Sequence, residues 1–241
     1  LGVKGPVYKA PVANVLDWSG FYVGVHGGVA SGQYRDNYDD AGDFGRGDFA
    51  KAGALLGGQV GYNRMYGRTL YGIELDASWA GIRSSIIDNE GDTRQFKTNF
   101  LASARLRTGV AVDNWLLFST IGVAYAQSKF TLIGTGGDTP SPASVSLNSV
   151  GFVSGLGAEY AFAPNWSVRG EYLFYRFNKR RDIPALTNDS DATDFVKLDN
   201  IHVFRVAANY RFNGMAPVRP AAPTTDWRGF YVGAHAGYGR S

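Results

Sequence analysis

The side chains that can shuttle a proton, attack a carbonyl or hold a metal are few in this 241-residue chain, and they are scattered. Cysteine is absent, which removes thiol nucleophiles, redox motifs and the usual structural zinc sites. The histidines are His26, His202 and His235, and a three-histidine metal site is not expected because His235 sits in a separate segment near the end. No Walker loop, dinucleotide-binding glycine pattern, HExxH or GxSxG occurs. Asp39, Asp40, Asp43 and Asp48 cluster without EF-hand spacing and read as a solvated acidic loop rather than a calcium site. Glu159 and Glu171 would make an acid–base pair if a cleft exposed them, but Arg169 and Arg205 offer charge partners and favour a structural role. The residues therefore predict no catalytic group, no cofactor and no metal. A net charge of +3, evenly spread, does not suggest a nucleic-acid surface.

What the charged residues do depends on the elements that carry them. From Trp18 onward the chain alternates with period two, the signature of β-strands with two unlike faces. Phe21, Val23, Val25 and Val29 share one face of the first run, with Tyr22, Gly24, His26, Gly28 and Ala30 opposite. Further runs fall at 53–64, 69–82, 96–111, 115–130, 148–162, 166–177 and 200–212. In 96–111 the alternation puts Phe96 and Phe100 with the apolar set and Lys97 and Asn99 with the polar one, while in 115–130 both faces are apolar and no orientation follows. Short connections lie near Tyr66–Arg68, Val112–Asn114 and Ala163–Asn165, and long polar ones near Gln33–Phe49, Arg83–Arg94, Leu132–Ser146 and Asn178–Lys197.

No window of about 18 apolar residues exists, so no helix is predicted to cross a membrane. Eight amphipathic strands, short turns at one end and long loops at the other predict an all-β, eight-stranded, antiparallel up-and-down transmembrane barrel. The face opposite the aromatic stripe holds Glu74, Asp76, Lys97, Arg105, Arg107, Glu159, Arg169, Glu171 and Arg205, five basic and four acidic groups interleaved with Gly, Ala and Ser. Small residues suit a narrow closed lumen, where these charges would pair and plug the barrel. Trp18, Phe21, Tyr62, Tyr66, Tyr71, Trp115, Phe162, Trp166, Tyr210 and Phe212 gather near the short-turn ends and predict an aromatic girdle at the membrane–water interface.

The segment Trp18-Ser-Gly-Phe-Tyr-Val-Gly, the leader VKGPVYKAP, Gly155-Leu-Gly-Ala-Glu-Tyr, Val168-Arg-Gly-Glu-Tyr-Leu-Phe-Tyr and the final Asn209-Tyr-Arg-Phe212 together resemble the small Gram-negative outer-membrane barrels called outer-membrane immunogenic proteins, loosely grouped as a porin family. The likeness covers about residues 3–212. It implies a surface-exposed barrel with periplasmic termini and extracellular loops, in contact with outer-membrane lipid and lipopolysaccharide. The loops would meet an extracellular ligand or host surface; relatives are described as surface antigens and some as adhesins or haem binders. A structural, surface-interaction role is expected, with a narrow channel as the alternative. Arg205, Ala207, Tyr210 and Phe212 are similar to the terminal signal read by the barrel-insertion machinery, although Ala207 stands where glycine is typical.

The sequence also divides into a periplasmic leader at 1–17, the barrel at 18–213, a Pro/Ala linker at 214–226 and a partial second copy at 227–241. There WRGFYVGAHAGY repeats WSGFYVGVHGGV at a spacing of 227 − 18 = 209 residues, so that it resembles the first strand of another barrel.

Overall fold

The structure, a computed structural model, describes residues 15–40, 43–87, 93–133, 143–178, 180–182 and 195–218. Eight long strands dominate: β1 (Gly20–Asp40), β2 (Asp43–Tyr66), β3 (Thr69–Ile87), β4 (Thr93–Val112), β5 (Trp115–Ile133), β6 (Ala143–Ala163), β7 (Trp166–Phe177) and β8 (Phe195–Arg211). Each pairs antiparallel with the next, and β8 returns to β1 from Arg211↔Tyr22 to Phe195↔Asn37. The sheet thus closes on itself into an eight-stranded barrel, which satisfies the paired backbone without water. A short strand, Arg180–Asp182, continues the pairing along β8 beyond the end of β7.

One end is drawn tight by two-residue turns at Gly67–Arg68, Asp113–Asn114 and Pro164–Asn165. Gly67 (φ 63°) and Asp113 (φ 50°) adopt the left-handed region, which glycine and aspartate tolerate best. At the other end two of the four expected long loops, Gln33–Phe49 and Arg83–Arg94, are largely ladder. The pairing of β1 with β2 runs through Gln33↔Ala50 to Asp40↔Asp43, and that of β3 with β4 reaches Ile87↔Thr93. The alternation fades there because neither face needs to be apolar once the strands clear the membrane, yet backbone pairing continues. Asp39, Asp40, Asp43 and Asp48 therefore lie on strands, with side chains outside the described set.

The ladder also corrects one face and orients another. Between Thr98 and Phe100 the register of β4 against β5 shifts, and opposite it β3 shifts between Trp79 and Ile82. One extra residue inverts every side chain beyond it. Phe96 and Thr98 therefore turn into the lumen and are buried, while Lys97, expected inside, turns outward. β5 resolves as Leu116, Phe118, Thr120, Ala124, Ala126, Ser128 and Phe130 inward, with Trp115, Leu117, Ile121 and Val123 outward.

Beneath the turns, Val15–Leu16 pairs with Pro217–Val218, and Asp17 N–H donates to the Ala216 carbonyl at 2.9 Å. The remaining leader and linker residues, and the second copy at 227–241, lie outside the described residues.

Candidate functional site

The lumen is filled in three layers. Toward the hairpin end, Ile82, Phe96, Leu101, Phe130, Leu173 and Tyr175 belong to one buried apolar cluster. Toward the turns, Trp18, Leu70, Leu116, Phe118 and Met215 form a second. Trp18, expected in the girdle, is fully buried: Arg211 Nη1 donates to its carbonyl at 2.7 Å, and its ring lies 5.0 Å from the Arg211 guanidinium. The chain enters β1 from below and so folds this ring across the barrel mouth instead of out into lipid.

Between the two clusters sits the polar layer, and its glycines explain how it is built. Tyr22 on β1 is opposite Gly61 on β2, and Gly61 is opposite Glu74 on β3. The missing side chain lets the tyrosine ring lie across β2, so its hydroxyl donates to the Glu74 carboxylate. In the same way His26 crosses Gly57 to reach Ser78 Oγ at 2.7 Å, its other ring nitrogen meeting Gln59. A Cβ at Gly61 would strike the Tyr22 ring. Gly61→Val is therefore expected to cost about 1–3 kcal/mol by overpacking, read as a lower urea midpoint. Gly170→Val, with nothing within 4 Å of its added Cβ, is the near-neutral control.

Glu74, Asp76, Arg105, Arg107, Glu159, Arg169, Glu171 and Arg205 all point into this layer and are at most 6 % exposed. Arg105 bridges Glu74, Glu171 at 2.7 Å and Asp76 at 3.2 Å. Arg169 reaches Glu74 at 2.7 Å and Glu159 at 3.2 Å. Arg205 holds Glu171 at 2.8 Å and Asp76 at 2.9 Å. Arg107 pairs with Glu159, and so does Arg211, at 3.4 Å. Arg211 thus takes the fifth basic place that sequence reasoning gave to Lys97. Its parity with Arg205 along β8 was the available signal. Reasoning also missed the neutral members: Tyr22, Gln59, Ser103, Ser167 and Asn209 each bond a carboxylate or one another. Among the described residues no group of three or more His, Cys, Asp or Glu is placed to hold a metal ion.

The outer wall is the reverse. Val25, Leu56, Ile73, Leu75, Leu106, Ile121, Val150, Leu156 and Val206 are each more than half exposed and face outward together. Such a belt far exceeds the apolar patches of soluble monomers. Near the turns, Phe21 packs on Tyr62 (ring centroids 4.7 Å), Tyr66 on Tyr71 (6.2 Å), Trp115 on Tyr160 (4.8 Å) and Trp166 on Tyr210 (5.1 Å). Phe162 and Phe212 are also outward and exposed. Of the four residues similar to an insertion signal, Arg205 and Ala207 face the lumen while Tyr210 and Phe212 face out.

Comparison with known proteins agrees with this geometry. The chain is 28 % identical over 222 residues to the 31 kDa outer-membrane immunogenic protein of Brucella melitensis, covering 85 % of this chain and 89 % of that protein. It is 30 % identical over 176 residues to the 22 kDa outer membrane protein of Rhizobium leguminosarum bv. viciae, covering 71 % and 70 %. The crystal structure of OprG from Pseudomonas aeruginosa superposes with a TM-score of 0.53 over 80 % of this chain and 97 % of that one, at 13 % identity, a likeness of fold. Residues 7–212 match the family described as outer membrane protein beta-barrel domain. An inverted barrel with charges inside and an apolar belt outside, together with these matches, places the chain in that family, as an outer-membrane β-barrel protein.

Proposed function

We propose that the protein is a closed-lumen barrel with a structural and surface-interaction role, its termini in the periplasm and its four long connections extracellular. The observation that carries this reading is the continuous filling of the lumen: an apolar cluster, an arginine–carboxylate layer and the Trp18 cap stand one above another. Eight strands leave an interior about wide enough for side chains alone. Glu159 and Glu171 both belong to the ion-pair layer, which suits a structural pairing and not an acid–base couple. Tyr210 and Phe212 at the end of β8 offer the insertion machinery an outward-facing aromatic pair. Specificity for an extracellular ligand or host surface would reside in the hairpin ends.

Planar-bilayer recording of the refolded full chain tests the closed lumen. The expected trace has no steady conductance step above the leak of the protein-free bilayer. Reproducible steps would replace this reading by the narrow channel. Labelling of Ala41→Cys in intact cells with a membrane-impermeant maleimide tests the orientation, and labelling only after the outer membrane is breached would overturn it.

A further inference from the structure

Among the residues whose side chains the structure describes, the charged ones that the strands turn outward are all basic: Arg64, Arg83, Lys97, Lys129 and Arg176. Three of them stand in a single row. Arg83 on β3 is directly opposite Lys97 on β4, and Lys97 is directly opposite Lys129 on β5. Neighbouring strands lie about 4.8 Å apart, so the row brings three cations within about 10 Å. Like charges directly opposed on one face repel, and no described carboxylate shares this wall to relieve them. The bulge at Thr98/Phe100 is what turns Lys97 outward; without it the row would hold two cations and not three.

The height of the row matches a membrane surface. Lys129 is 129 − 115 = 14 residues along β5 from Trp115 in the turn-side girdle. At about 3.3 Å per residue and about 45° of tilt that is roughly 33 Å of height, against an apolar band of about 25 Å. Directly below the row lies an aromatic ledge on the same three strands. Trp79, 75 % exposed, is opposite Phe100, whose ring centroid is 6.4 Å from that of Tyr125. Going upward, a lipid would thus meet aliphatic side chains, then amphipathic rings, then three positive charges.

We propose that Arg83, Lys97 and Lys129 bind the phosphate groups of a phosphorylated glycolipid in the outer leaflet, its acyl chains lying on the wall below. A single phosphodiester carries one negative charge and leaves the row unbalanced. A sugar headgroup with two phosphate monoesters supplies a charge closer to three, and its sugar rings sit level with the ledge. The proposal rests on the reading that the hairpin end faces outward, and it tells lipid phosphate from free phosphate by the acyl contacts that only the lipid makes.

The test is a titration of the refolded full chain in neutral detergent with lipid A bearing two phosphates, followed by tryptophan fluorescence. R83Q/K97Q/K129Q is expected to weaken binding by at least about tenfold, since each basic residue near an anionic surface adds to the attraction. R176Q, outside the row, is expected to bind as the wild type does. Dephosphorylated lipid A should bind the wild type as weakly as the phosphorylated lipid binds the triple variant. Equal affinity of the triple variant and wild type overturns the proposal, as does an equal loss in R176Q. Displacement by equimolar inorganic phosphate also overturns it, by showing a site for any small anion. A heat-dependent gel shift confirms that each variant is folded. Orientation plays no part in the detergent titration, whereas the Ala41→Cys labelling depends on orientation alone, so the two readings fail separately.

Discussion

Glu159→Gln is expected to lower the unfolding free energy of the lipid-inserted barrel by about 3–5 kcal/mol, the cost of leaving a buried charge without its partner. Glu159 is wholly buried and receives Arg107, Arg169 and Arg211, together with Ser167 Oγ at 2.6 Å and Asn209 Nδ2 at 2.9 Å. Arg169 keeps Glu74 as a second carboxylate, whereas Arg107 and Arg211 have no other among the described residues. Two guanidiniums thus lose the one carboxylate that they contact among the described residues, in a layer where the solvent cannot replace it. Urea titration in phospholipid vesicles, followed by tryptophan fluorescence, measures the change. Adding Arg107→Gln to Glu159→Gln should recover part of the loss, because it removes one of the two orphaned cations. A change below about 1 kcal/mol for the single variant would mean that water or a relaxed backbone reaches the layer.

Leu75→Arg should cost about 2–4 kcal/mol in the same assay, as expected for arginine at the bilayer midplane of a barrel. Leu75 is outward, 57 % exposed and midway along β3 between Tyr71 in the turn-side girdle and Trp79 on the ledge. Tyr66→Arg, beside the Gly67–Arg68 turn, should cost no more than about 1 kcal/mol because the side chain reaches the interface. Depth dependence is the informative part. On a water-facing wall both substitutions would be nearly neutral, and an equal small effect at the two positions would contradict the membrane placement of the belt.

These two substitutions probe the two faces that alternation separates, and alternation was legible in most strands. The polar residues of β3, β6 and β7 — Glu74, Asp76, Glu159, Arg169 and Glu171 — were assigned to one face from parity alone, and the structure puts them there together. Parity fails at a bulge, because the extra residue leaves no mark in the order of apolar and polar side chains. Lys97 and Phe96 were misplaced for that reason. β5 resisted orientation because its lumen side holds Leu116, Phe118 and Phe130, which belong to the two apolar clusters and not to the charge layer.

By itself the sequence determined that this protein is an eight-stranded barrel, closed by short turns at one end, with charge on one face and aromatic residues on the other. That much follows from period-two patterning and connection length, both local properties. Tertiary structure alone decided which side chains meet. Arg211 replaces Lys97 in the charge layer, Trp18 caps the mouth instead of joining the girdle, and Arg83, Lys97 and Lys129 form one row. Each of these depends on strand register and closure, which join residues far apart in the chain, 193 positions in the bond from Arg211 to Trp18. Local pattern says which face a residue takes, and only the closed hydrogen-bonded ring says what stands across from it.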